Sequence, residues 1–153
     1  MSIFSLQRLA DVLLELERFD DARDIVLQCI EYERRILTES LAKQGKTLSE
    51  VTIKSMSAPD LALANRDFVQ AEQLFKEKVA HWTGMAAKPD NIDVTRYQFH
   101  LATAQRELGQ IAESLETLRR ACQTAECDFG SGHPRVSRAR QRLERAEQAA
   151  QGA

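Results

Sequence analysis

Six glycines and three prolines in 153 residues are too few for the turns of a β-sandwich. The three cysteines, Cys29, Cys122 and Cys127, form an odd set without a CxxC spacing. That argues against a zinc site and a disulfide framework, and for small apolar residues in a reducing compartment. Long apolar runs are missing too. The amphipathic start, MSIFSLQRLADVLLELE, is broken by Asp11 and Glu15, whereas a secretory signal needs about 7–15 apolar residues and a membrane helix about 18–20. A soluble, cytoplasmic protein is expected. A formal net charge of −2 gives no global pull toward nucleic acid or anionic lipid. No GxSxG, Walker-type, GxGxxG or HExxH pattern is present, and His81, His100 and His133 fall in three separate segments. Catalysis, a cofactor and a metal are therefore not expected.

The chain is 43% hydrophobic and 29% charged, a globular composition. Its length suits a single domain over 1–153. The apolar residues keep helical time nearly throughout. Leu6, Leu9, Ala10 and Leu13 follow i, i+3, i+4, i+7, and so do Ala22, Ile25, Val26, Cys29 and Ile30. Ala71, Leu74, Phe75, Val79 and Trp82 mark another amphipathic stretch, as do Leu115, Leu118 and Cys122. The spacing predicts helices over about 3–17, 19–43, 48–66, 68–84, 91–108, 111–128 and 134–150. Gly45, Gly84, Gly130 and Gly132 punctuate the polar gaps, and Pro89 and Pro134 sit where a proline can open a helix. Pro59 predicts a break or kink at 57–59, or a shorter helix with Ser57 as its cap and Asp60 in its first turn.

A repeat is visible. ERFDDARDIV returns as NRDFVQAEQLF and as LGQIAESLETL. Phe19, Phe68 and Ile111 correspond, as do Ala22, Ala71 and Ser114, at separations of 49 and 43 residues. Val51, Val94 and Val136 follow one another at 43 and 42. The longer first interval is absorbed by almost two extra helical turns in the helix over 19–43.

This pattern resembles the tetratricopeptide repeat (TPR) family, in the long-repeat form of kinesin light chains and many bacterial TPR proteins. The pairs Leu9–Ala10 and Leu101–Ala102, the turns with Phe19…Ala22 and Phe68…Ala71, and the loop Gly132–His133–Pro134…Val136 carry the likeness. Ala58–Pro59, Lys78, Gln98 and Gln105 depart from it. The resemblance implies an all-α, right-handed α-solenoid. It would have three helix-turn-helix pairs (about 2–45, 48–86 and 91–130) and a capping helix over 134–150. It also implies a non-catalytic interaction module whose first helices line a concave groove for an extended peptide or partner helix. Carried onto this chain, the groove takes Arg96, Phe99, Thr103 and Arg106 from one helix and Arg138, Gln141 and Arg145 from the next. His133 is implied to cap the last helix, and His100 is a candidate for the groove or for a solvated surface. The Lys and Asn set of the chaperone-binding carboxylate clamp is not visible.

Charge adds a ligand class. Residues 1–24 hold three arginines against six acids, and residues 133–153 hold five arginines against two. Arginine grips carboxylate and phosphate through two N–H groups, so the basic end suits an acidic peptide. The acidic Asp20, Asp21 and Asp24 fit a helix start. The alternative is a self-associating scaffold using Trp82 and Met85. Nucleic-acid binding ranks below both, since RVSRARQRLER has no aromatic residue for base stacking.

Overall fold

The structure, a computed structural model, describes residues 2–47, 57–85, 87–88 and 92–152. The described residues are all-α, in seven helices without a strand. They are α1 (Ile3–Glu15), α2 (Phe19–Lys43), α3 (Ala58–Ala64), α4 (Phe68–Trp82), α5 (Val94–Glu107), α6 (Ile111–Phe129) and α7 (Pro134–Gln151). None of the seven is long and apolar enough to cross a membrane. Of the helix expected over 48–66, residues 48–56, with Val51, lie outside the described residues, as does Pro89. Its described part begins at Ala58, with Pro59 in the first turn, where no N–H is needed. Ser57 stands at the cap position, but its hydroxyl makes no cap bond and donates instead to Glu33 Oε1 at 2.8 Å.

The chain divides into two compact units, Met1–Asp67 and Phe68–Ala153. The boundary falls in the turn between α3 and α4, inside the expected second pair. In the first unit α1 packs on α2 and both pack on α3. In the second, α5 packs on α4 and α6, and α6 on α7.

The turns repeat atom for atom. After α1, Glu17 N–H donates to Leu14 O and Arg18 N–H to Leu13 O. After α3, Arg66 donates to Leu63 and Asp67 to Ala62; after α5, Gly109 donates to Arg106 and Gln110 to Gln105. All six bonds measure 2.9–3.0 Å. Each set is a Schellman closure, in which the residue past the helix cap adopts left-handed backbone and satisfies the last carbonyls. That residue is Glu17 at φ 57°, Arg66 at φ 60° and Gly109 at φ 80°. Their separations, 49 and 43, are those of the sequence repeat. The helices that such a three-residue turn joins within one unit, α1 with α2 and α5 with α6, pack on each other. The small residue that follows is buried each time: Ala22, Ala71 and Ser114.

The second unit's core joins Phe99 and Ala102 of α5, Leu118, Ala121, Cys122 and Ala125 of α6, and Val136 and Ala139 of α7. Leu143 and Ala146 extend it along α7. Phe75 of α4 is fully buried, with its ring 5.4 Å from His100 and 6.5 Å from Tyr97. Every residue from Gln98 to Gln105 is buried. Two of the buried polar groups of α5, a backbone carbonyl and a side-chain amide, bond to α6. Ser114 Oγ donates to Ala102 O at 2.8 Å, and Thr117 Oγ1 to Gln105 Oε1 at 2.6 Å. Gln105, a departure from the repeat pattern, is thus a hydrogen-bonding seam between α5 and α6.

Candidate functional site

Helix α7 is set by its start. His133 Nδ1 accepts the Arg135 N–H at 3.1 Å, capping the helix, while its ring stacks on Phe129 at 4.8 Å. Pro134 opens the first turn. The expected capping role of His133 is therefore realised. Asp93 does the same for α5: Oδ1 accepts the Arg96 N–H at 3.2 Å, and Oδ2 pairs with the Arg135 guanidinium at 2.7 Å. Further along, the Arg142 guanidinium lies 4.6 Å over the Phe99 ring, a cation–π contact. The contacts 93–135 and 99–142 join residues 42 and 43 apart. Two contacts at nearly the same separation mean that α5 and α7 run in parallel register, one repeat apart.

This register decides what the expected groove residues do. Phe99 is 5% exposed and Thr103 likewise, with Thr103 Oγ1 donating to Phe99 O at 3.1 Å. Both are interior residues, so neither offers a side chain to a partner, and their expected place in the groove is corrected. Phe99 is buried because Arg142 and the α6–α7 core cover it. Arg96 is half-buried and pairs with Asp93 at 3.6 Å; Arg106 is exposed and pairs with Glu107 at 2.8 Å. Arg138, Gln141 and Arg145 are exposed on α7. The seven residues thus do not form one open surface.

The arginines of α7 separate into two classes. Arg135 holds Asp93, Arg140 holds Glu126, and Arg142 covers Phe99. Arg138 and Arg145 have no ion-pair partner among the described residues. They are seven residues apart with Gln141 between them, so they lie on one side of the helix about 10 Å apart. Three polar side chains in line, two of them cationic, make a ridge that matches carboxylates spaced two helical turns apart.

Other chemistry-bearing residues are engaged. His100 is 1% exposed and packs on Phe75, which corrects its candidacy for a groove or a solvated surface. His81 meets the edge of Trp82 at 4.7 Å. In the first unit, the Asp11 and Asp60 carboxylates lie within 4.8 Å of each other. These two with Glu33, and burial above all, push the Cys29 thiol up to about 11. Both carboxylates take part in further polar contacts. Of the proposed self-association residues, Met85 is 41% exposed and Trp82 is half-buried.

Sequence reasoning passed over one surface. Leu6 and Leu9 of α1 with Ile25, Gln28, Glu31, Tyr32 and Arg35 of α2 line an open groove of about 400 Å³. The residues 25, 28, 32 and 35 form one helical stripe, and that spacing was its only signal. The chain matches no protein-family model, no curated protein and no solved structure with which it was compared.

Proposed function

We propose that the chain is a TPR-like α-solenoid of three helix pairs and a closing helix. It serves as a non-catalytic protein-interaction module. The recurrence of one turn geometry at separations of 49 and 43, and the parallel register of α5 and α7, support the architecture. Stacked pairs bury a continuous core and present long, regular surfaces, which suits them to holding other chains. The partner we infer is an acidic segment of another protein, taken on α7 rather than on the enclosed α5. The carrying observation is the ridge Arg138–Gln141–Arg145, exposed and, for its two arginines, outside the internal ion pairs.

The test is an array of acidic peptides probed with the wild type and with an Arg138→Glu/Arg145→Glu variant. Acidic peptides are expected to bind better than scrambled neutral ones, and to lose binding with the variant. Equal binding of acidic and neutral peptides, or binding unchanged in the variant, would sink the assignment. Charge steering should also speed association at low ionic strength.

A further inference from the structure

The three equivalent turns fix which residues of α1, α3 and α5 correspond. Counted back from Glu17, Arg66 and Gly109, Arg8 of α1 stands where Ser57 stands at the start of α3 and His100 stands in α5. Ser57 and His100 are both buried, each against the helix that precedes its own. Ser57 Oγ donates to Glu33 of α2, and the His100 ring packs on Phe75 of α4. Helix α7 repeats the arrangement on α6, with Ala139 and Leu143 in the core that the two share. Thus α2 covers α3, α4 covers α5 and α6 covers α7.

On α1 the corresponding face is bare. Arg8 is exposed, and Leu9, Val12 and Leu16 are 37%, 53% and 63% exposed. Their counterparts in the third pair are Leu101, Ala104 and Leu108, none of them exposed. Arg8, Leu9, Val12 and Leu16 lie on one side of the helix, at i, i+1, i+4 and i+8. An apolar stripe of this kind marks an association surface, and the other three pairings say what shape fits it, a helix.

We propose that this face of α1 binds an amphipathic helix of another protein, seated as α4 is seated on α5. An apolar stripe with a large side chain in the place of Phe75 covers Leu9, Val12 and Leu16. An acid on the same helix meets Arg8, which makes no ion pair with any described residue. A second copy of the chain has no such helix to offer, because α2, α4 and α6 already spend that face on α3, α5 and α7. The inference rests on the equivalence of the turns and not on the arginine ridge of α7.

The probe is a fluorescent peptide spanning residues 67–84, the chain's own α4, titrated with the full-length protein and followed by anisotropy. Saturable one-to-one binding is expected. A peptide with Phe75→Asp should bind at least tenfold more weakly. So should the Val12→Lys protein with the wild-type peptide, and Arg8→Glu should weaken binding several-fold. Val12 is exposed, so its replacement leaves the helix intact, which circular dichroism verifies. The Arg138→Glu/Arg145→Glu protein should bind this peptide as the wild type does, which separates the two surfaces. Three results would overturn the proposal: no saturable binding, binding unchanged by Val12→Lys, or a wild type that dimerises in sedimentation velocity through a contact that Val12→Lys abolishes. The last would make a second copy the occupant.

Discussion

Three glycines of the second unit allow backbone strain to be measured apart from packing. A Cβ added at Gly109, Gly130 or Gly132 would meet nothing within 4 Å, so an alanine at any of them creates no clash. They differ in backbone. Gly109 sits at φ 80°, left-handed, as the third of the repeated turns requires. An L-residue there costs about 1–2 kcal/mol. Loss of glycine's freedom in the unfolded chain returns about 0.4–1 kcal/mol. Gly109→Ala should therefore destabilise by about 1 kcal/mol, lowering Tm by about 2–4 °C for a domain of 150–250 residues. Gly130, at φ 85° and ψ 152°, occupies a region open essentially to glycine alone. There the strain is about 1–3 kcal/mol, so Gly130→Ala should lose at least as much. Gly132 has no left-handed φ, so Gly132→Ala should be neutral or slightly stabilising. The assay is thermal unfolding followed by far-ultraviolet circular dichroism and by Trp82 fluorescence. Trp82 is the single tryptophan and lies in the second unit. A Gly109→Ala protein as stable as Gly132→Ala would refute the left-handed turn, and with it the structural equivalence of the three turns.

Four further outcomes follow from named contacts. Ala71 is fully buried next to its turn, so Ala71→Leu should overpack the site and cost about 1–3 kcal/mol, read by urea unfolding. Asp93→Asn keeps an N-cap acceptor but weakens the Arg135 pair, whereas Asp93→Ala loses both; the alanine variant should be less stable by about 1 kcal/mol more in the same assay. Cys127 is exposed, while Cys29 and Cys122 are buried with thiols pushed up mainly by burial. A thiol reagent at neutral pH should titrate one cysteine quickly and the other two only after unfolding. Cys29 ionises near 9.0 when exposed and at about 11 when folded, so above pH 9 the unfolded state holds fewer protons. Its contribution to stability is intact below pH 9 and falls as pH rises toward 11, and Cys29→Ala should flatten that part of the urea-midpoint profile.

The helix pattern was legible because the apolar stripes are long and their breaks fall at Gly, Pro or polar clusters. The cap of α7 was legible too, through the likeness of the loop Gly132–His133–Pro134…Val136 to that of the repeat family. The left-handed turns were readable only at Gly109. Glu17 and Arg66 carry no such signal, and hydrogen bonding to Leu13, Leu14, Ala62 and Leu63 imposes the conformation on them. Phe99 was misplaced for a different reason. A stripe with arginines at 96 and 106 looks like a surface, and periodicity names a face without naming what covers it. The cover is Arg142, a charged residue lying flat on a ring, and Arg142 had been counted only toward the positive end. The same holds for the ridge: five arginines in α7 were visible, but which two stay outside internal contacts depends on Asp93, Glu126 and Phe99, all distant in sequence.

The central claim, that α7 receives an acidic partner through Arg138 and Arg145, is tested most directly by calorimetric titration. The ligand is a helical peptide with glutamates seven residues apart, titrated at low and at physiological salt. The account predicts saturable binding that weakens as salt rises and falls at least tenfold in the Arg138→Glu/Arg145→Glu protein, whose melting temperature stays that of the wild type. Equal affinity for the two proteins would contradict it.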